Sequence, residues 1–228
     1  MDVHAIIVAG GQGQRIGGDT PKQYLKVKGV PLFVYSLRKF ASFAPVRTIV
    51  LVIAPEWKDF VQKSVAGEAP SKHIVYADAG RTRQLSGLSG LKALASVAAA
   101  GDAVFVHDAV RPLFPQSNLT DGIAALGDFD VALPVISVKD ATYQSVDGEQ
   151  LSAILPRPQL YSGQSPECLR YGPFVEAHSR FSEEEIAAVR GCSELAFAAG
   201  LRVKLIPGIE QNFKITTKED LQAFTLMV

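Results

Sequence analysis

The chain has 228 residues, 47% of them hydrophobic and 20% charged, which is enough apolar material for one core and the balance of a soluble globular protein. Lys and Arg (23) equal Asp and Glu (23), which argues against a protein that lives on nucleic-acid backbones and leaves any anionic ligand to locally placed cations. No segment has the roughly 20 apolar residues of a membrane-spanning helix. Cys168 and Cys192 fit neither a C-x-x-C pair nor a zinc spacing, so they read as free thiols in a reducing, cytoplasmic setting.

In chain order, short β-branched runs alternate with helical patterns. Residues 5–9 read as a first buried strand, and a glycine-rich segment follows it. Residues 31–43 have helical spacing, with Pro31 suited to a first turn. Residues 48–54 are apolar at consecutive positions, as in a strand covered on both faces. A helix is expected over 55–65, a strand over 72–76, a long helix over 82–99 and a strand over 103–107. This βαβαβ order predicts a mostly parallel sheet with helices on both faces, and ligands outside the carboxyl ends of its strands.

The second half is less regular. A helix over 118–126 and a strand over 131–136 precede a β-hairpin at 138–159, marked by Asp147-Gly148 between two alternating segments. Helices follow at 173–178 and 183–199, with Gly200 as a cap. A strand over 202–206, an extended piece over 213–215 and a closing helix over 218–226 complete the chain. No linker divides it, so residues 1–228 read as one domain.

Three loops at strand ends carry the chemistry. The first is Val8-Ala9-Gly10-Gly11-Gln12-Gly13-Gln14-Arg15, followed by Thr20-Pro21-Lys22-Gln23-Tyr24-Leu25. Its glycines let backbone amides approach a phosphate or a base. It fails the dinucleotide pattern, because Ile16 stands where the third glycine belongs, and the Walker pattern, because Asp19 stands where lysine belongs. What remains is a glycine loop with two cations, Arg15 and Lys22, suited to the charge that builds on a leaving pyrophosphate. The second loop, Ala79 to Ser86, opens the long helix; its residues alone fit either a ligand site or a simple N-cap at Arg81 or Thr82. The third, Val106 to Pro112, places Asp108 at a strand end, where a carboxylate beside phosphates suits Mg²⁺ or caps a turn.

The run V-A-G-G-x-G-x-R followed by P-K-Q-Y-L resembles the 2-C-methyl-D-erythritol 4-phosphate cytidylyltransferases and their relatives, the ribitol-5-phosphate cytidylyltransferases. The resemblance implies a three-layer α/β/α Rossmann-like nucleotidyltransferase fold with a mostly parallel twisted sheet and a protruding hairpin arm. It implies Arg15 and Lys22 as catalytic cations on CTP, and Val8, Ala9, Gly10, Gly11, Gly13, Gly80, Arg83 and Ser86 around the nucleotide. Gly80, Arg83 and Ser86 match a G-G-x-x-R-x-x-S segment whose first glycine is Ala79 here. The run His107 to Pro112 resembles H-D-x-x-R-P, implying Asp108 as metal ligand and Arg111 on the substrate side, with His107 structural. In the family the arm crosses to a second subunit of a homodimer, which assigns Thr142 and Arg157 to the partner's substrate phosphate. A hairpin is also marginal alone, which favours a partner chain. Asn212 to Leu221 resembles N-I-K-x-T-x-x-E-D-L and implies Lys214 as a cation for that phosphate.

The resemblance is weak over 161–200, where Arg190-Gly191-Cys192-Ser193-Glu194 replaces a threonine followed by acidic residues. The expected activity is cytidylyl transfer from CTP to a polyol phosphate, with Mg²⁺ and without nucleic acid or membrane partners. 2-C-methyl-D-erythritol 4-phosphate is the first acceptor expected and ribitol 5-phosphate the second. A nucleotide-binding regulator without activity is the reading from another class.

Overall fold

The computed structural model describes residues 1–11 and 20–228. In chain order its elements are β1 (Val3–Val8), the short pair β2 (Lys26–Val27) and β3 (Val30–Pro31), α1 (Leu32–Ser42), β4 (Val46–Ile53), α2 (Lys58–Val65), β5 (His73–Asp78), α3 (Arg83–Ala93) and β6 (Ala103–Asp108). There follow α4 (Ser117–Ala125), β7 (Val131–Ser137), β8 (Thr142–Gln144), β9 (Ala153–Leu155), β10 (Tyr161–Gly163) and β11 (Glu167–Arg170). The chain closes with α5 (Tyr171–His178), α6 (Glu183–Ala188), α7 (Cys192–Ala198), β12 (Val203–Pro207) and α8 (Lys218–Met227).

The sheet is built around β1, which pairs in parallel with β4 on one side and β6 on the other. β5 extends it in parallel beyond β4. Past β6 the sheet becomes mixed: β11 lies antiparallel between β6 and β7. Val135 of β7 pairs with both Pro207 and Gly163, so β12 and β10 flank β7 on opposite sides.

The period of two along a strand makes the layers. Ala5 and Ile7 of β1 face a core with Phe33, Leu37 and Phe40 of α1. Ile6 faces the other way, toward Leu91 of α3, Phe174 of α5 and Leu195 of α7. Both isoleucines are fully buried, each contributing about 1.5–3 kcal/mol relative to exposure. The expected mostly parallel sheet with helices on both faces is thus present.

The structure departs from the sequence expectations at three elements. The helix expected over 82–99 ends at Ala93, since Leu94 is its last fully buried side chain and residues 95–97 are exposed. Asp102 then turns the chain by accepting from the Ala99 amide at 2.8 Å. The helix expected over 183–199 is two helices, because Val189 and Gly191 are extended and Gly191 caps α7. Residues 213–215 form no strand; the Ile215 amide instead donates to the Val110 carbonyl at 2.9 Å. Gly200 does sit past α7 with φ +79, the left-handed value a helix end asks for.

β8 and β9 pair antiparallel, Thr142 opposite Leu155, as a two-stranded sheet of their own. Asp147 closes the expected turn, its Oδ1 accepting from the amides of Glu149 and Gln150 at 2.9 Å. Tyr143, Val146, Leu151 and Ile154 of this hairpin are exposed.

Candidate functional site

β6, β1, β4 and β5 run parallel in that order and end on one edge of the sheet, where the loops after β1, β5 and β6 gather. At the end of β1 the Ala9 amide continues the ladder by donating to Val52 O at 2.8 Å. The Ala9 carbonyl accepts from Gln23 Nε2 at 2.7 Å and from Tyr24 Oη at 2.8 Å, and the Gly11 carbonyl accepts from Gln23 Nε2 at 2.6 Å. Gln23 and Tyr24 therefore hold the carbonyls of the turn in place. Gly10 is required by close approach: a Cβ there would lie 2.1 Å from Ala79 Cβ, in the turn after β5. Gly13 and Arg15 lie outside the described residues.

In the second loop Thr82 is the N-cap of α3, its Oγ1 accepting from the Leu85 amide at 3.3 Å. Ser86 Oγ accepts from the Gly80 amide at 3.0 Å and lies 2.9 Å from the Thr82 carbonyl, so Ser86 shapes the turn that Gly80 begins.

The third loop carries the centre of the site. Asp108, at the end of β6, is registered opposite Val8 of β1. Its Oδ1 accepts from Arg83 Nε at 2.7 Å, while Oδ2 lies 2.9 Å from Lys214 Nζ and 3.7 Å from Arg111 Nε. Burial acts to raise the Asp108 pKa, but Arg83 and Lys214 outweigh it and hold the carboxyl well below the usual range. Burial likewise acts to lower Arg83, yet Asp108 and Glu167 keep it well above its ordinary value. For Arg111 burial wins and its pKa is lowered.

Lys214 reaches Asp108 because its segment is braced on both sides. Arg111 Nη1 donates to Asn212 O at 2.8 Å, and the buried Asn212 donates through Nδ2 to Ser165 O at 2.8 Å. Lys22, itself buried, donates through Nζ to Ile215 O at 2.9 Å. The structure thus brings Lys22, Arg83, Asp108, Arg111 and Lys214 into one region.

His107 is fully buried, with Ser36 Oγ and Ser165 Oγ near its two ring nitrogens at 3.3 and 3.0 Å. Burial pushes it down to about 3, so it is neutral and structural. Thr142 and Arg157 stay on their hairpin: Thr142 Oγ1 donates to Asp140 O at 3.3 Å and Arg157 Nη1 to Lys139 O at 2.9 Å. Neither lines the cleft beside Asp108 in its own chain.

That cleft, of about 380 Å³, opens between the ends of β6, β10 and β11 and the start of α7. Sequence reading missed Glu167, the first residue of β11. It is 3% exposed and pairs with Arg83 Nη2 at 3.3 Å, which clamps the guanidinium between two carboxylates. Its only sequence signal is a carboxylate just before the apolar pair Cys168-Leu169.

A cleft lined by Arg83, Arg111 and Lys214 beside a pinned glycine turn handles phosphates, and its place outside the carboxyl ends of an open α/β sheet is where such sheets bind nucleotides. These features define the class of α/β nucleotidyltransferases.

Comparison with known proteins narrows the class. The family model of 2-C-methyl-D-erythritol 4-phosphate cytidylyltransferase (IspD) matches residues 3–228. The enzyme of that name from Roseobacter denitrificans is 34% identical over 220 residues, covering 96% of this chain and 94% of the relative. A bifunctional IspD/IspF enzyme from Allorhizobium ampelinum is also 34% identical, and this chain spans 54% of its length. A crystal structure of the 4-diphosphocytidyl-2C-methyl-D-erythritol synthase from Anaerococcus prevotii superposes with a TM-score of 0.84 at 26% identity, covering 99% of this chain and 97% of that one. The chain belongs to the 2-C-methyl-D-erythritol 4-phosphate cytidylyltransferase family, and it is a cytidylyltransferase.

Proposed function

We propose that the cleft transfers the cytidylyl group of CTP to 2-C-methyl-D-erythritol 4-phosphate, releasing pyrophosphate, in isoprenoid precursor synthesis. The observation that carries this reading is the convergence of Lys214, Arg111 and Arg83 on Asp108, beside the turn after β1, in a chain matched to the family over residues 3–228. A phosphate oxygen of the acceptor attacks the α-phosphorus of CTP in line, and pyrophosphate departs. The acceptor is already an anion, so the step needs no general base, which agrees with a neutral, buried His107.

The roles divide by position. Lys22 and Arg15 neutralise charge on the triphosphate, with Ala9, Gly10, Gly11, Gly13 and the turn at Gly80 against the nucleotide. Lys214 and Arg111 face the acceptor. Thr142 and Arg157 serve the partner subunit of a homodimer, a role consistent with their place on an exposed hairpin whose apolar side chains have no cover. The buried, unpaired Cys168 and Cys192 suit a cytoplasmic enzyme.

An ion such as Mg²⁺ takes one or two carboxylates, keeps several waters and binds substrate phosphates. Asp108 is the carboxylate at the cleft that would hold such an ion, in exchange for its present pairs with Arg83 and Lys214. When bound, such an ion offsets phosphate charge.

The test is pyrophosphate release with CTP and Mg²⁺ over a panel of polyol phosphates. Release with 2-C-methyl-D-erythritol 4-phosphate is expected; preference for ribitol 5-phosphate would change the acceptor, and CTP binding without any release would leave a regulator. Lys22→Ala is expected to lower turnover at least about tenfold, about 1.4 kcal/mol of transition-state stabilisation, with the fold kept; a near-wild-type rate refutes its role.

A further inference from the structure

Glu167 does more than hold Arg83. Its Oε2 accepts from the Ser193 amide at 2.7 Å and its Oε1 from the Cys192 amide at 3.3 Å. One buried carboxylate thus ties the Asp108 centre to the first turn of α7. The turn before α7 is pinned from its other side as well, since the Arg190 amide donates to Glu194 Oε2 at 2.7 Å. Arg190 stands between these two anchors, and its side chain lines the cleft.

The cations of the cleft are not equivalent. Arg83, Arg111 and Lys214 all lie against Asp108, and Arg83 also pairs with Glu167. The Arg190 guanidinium makes no ion pair or hydrogen bond among the described residues, so its charge is open to a ligand. The side of the cleft also matters. Among the described residues, none of Ala9, Gly10, Gly11, Lys22 or Gly80 lines it, whereas Gly163, Gln164 and Ser165 do. Arg190 therefore lines the side of the cleft away from the turn after β1.

We infer that Arg190 is a specificity-determining residue for the phosphorylated acceptor, and that Glu167 is the positioning residue that holds it there. The inference rests on the proposed reaction. Glu167 fixes the amides of Cys192 and Ser193, and these set the direction in which Arg190 leaves the backbone. A planar, five-donor guanidinium at this place recognises phosphate or vicinal hydroxyl oxygens of a polyol phosphate.

The experiment measures KM for CTP and for 2-C-methyl-D-erythritol 4-phosphate separately in Arg190→Gln, Arg190→Lys, Glu167→Gln and the Glu167→Gln/Arg190→Gln double variant, with melting midpoints as a fold check. Arg190→Gln is expected to raise the acceptor KM about tenfold or more, the size of one lost charge-assisted contact, and to leave the CTP KM within about twofold. Arg190→Lys recovers part of the loss. Glu167→Gln keeps the side-chain shape, raises the acceptor KM by a similar factor, and in the double variant adds little to the acceptor KM, because there both changes act through one contact; what it loosens at Arg83 is read in the CTP KM.

An unchanged acceptor KM in Arg190→Gln overturns the inference. So do effects of Glu167→Gln that fall on CTP alone or multiply with those of Arg190→Gln. If Glu167→Gln unfolds, the KM split of Arg190→Gln and Arg190→Lys decides. If wild-type protein releases no pyrophosphate, the proposed reaction fails, and calorimetric binding of the same polyol phosphate to wild type and Arg190→Gln decides instead: about tenfold weaker binding in the variant sustains the inference, while equal binding, or none to wild type, ends it.

Discussion

Replacing Asp108 with asparagine keeps the side chain's shape and one acceptor oxygen but removes the charge shared by Arg83 at 2.7 Å, Lys214 at 2.9 Å and Arg111 at 3.7 Å. Removing one partner of a buried ion pair costs roughly 3–5 kcal/mol, because the other charge is left uncompensated. Two features reduce that figure here. The Lys214 and Arg83 side chains are 37% and 23% exposed, so water recovers part of the loss, and Glu167 still pairs with Arg83. We therefore expect about 2–3 kcal/mol at neutral pH, which for a domain of this size is roughly 4–12 °C in melting midpoint. The sign with pH follows from the depressed carboxyl. Its stabilisation is fully present above the unfolded value of about 3.9 and is lost as pH falls below that toward the folded value. Urea unfolding of both proteins at about pH 7, 5 and 3.5 should show a gap that holds between the first two and narrows at the third. A gap under about 0.5 kcal/mol at neutral pH, within the scatter of an ordinary surface substitution, or one that widens in acid, refutes the account of Asp108 as the anchor of these cations.

Two further outcomes follow from the same geometry. His107 and His178 are pushed down to about 3 and about 4 by burial, so their neutral forms contribute stability above an unfolded value of about 6.5, and that contribution is lost as pH falls through and below it. Each is expected to remove up to about 1.4 kcal/mol per pH unit below that point; unfolding free energies unchanged between about pH 7.5 and 5.5 would contradict the burial of both rings. Gly10→Ala places a Cβ 2.1 Å from Ala79 Cβ, and overpacking of this kind costs about 1–3 kcal/mol. The added Ala79→Gly change should restore most of the loss, so a Gly10→Ala protein that melts like wild type would disprove the contact.

Local patterns revealed the elements whose neighbours in sequence are also their neighbours in space. Residues 48–54 read as a doubly covered strand because Val50, Leu51 and Val52 are apolar in succession, and β4 does have a core on each face. β11 gave no such signal. It is four residues long, begins with Glu167 and ends with Arg170, and is held in the sheet by antiparallel pairing to β6 and β7. The break between α6 and α7 was equally hidden, since residues 183–199 keep a helical pattern. What separates the two helices is Gly191 in an extended conformation, with Glu167 accepting from the amides just beyond it.

The sequence by itself determined the alternation of strands and helices and the glycine turn with Lys22 behind it, each written in a short stretch where residue type and spacing carry the chemistry; Asp108, Arg111 and Lys214 were legible only through the family resemblance of their separate segments. Only the tertiary structure decided that Asp108 is shared by Arg83, Arg111 and Lys214, that Ser86 shapes a turn, and that Glu167 joins the site to α7. Those facts join residues as far apart as 83 and 167, or 108 and 214. A charge has no preferred partner in the sequence; it acquires one when the strands that carry it pair, and burial then makes leaving it unpaired costly.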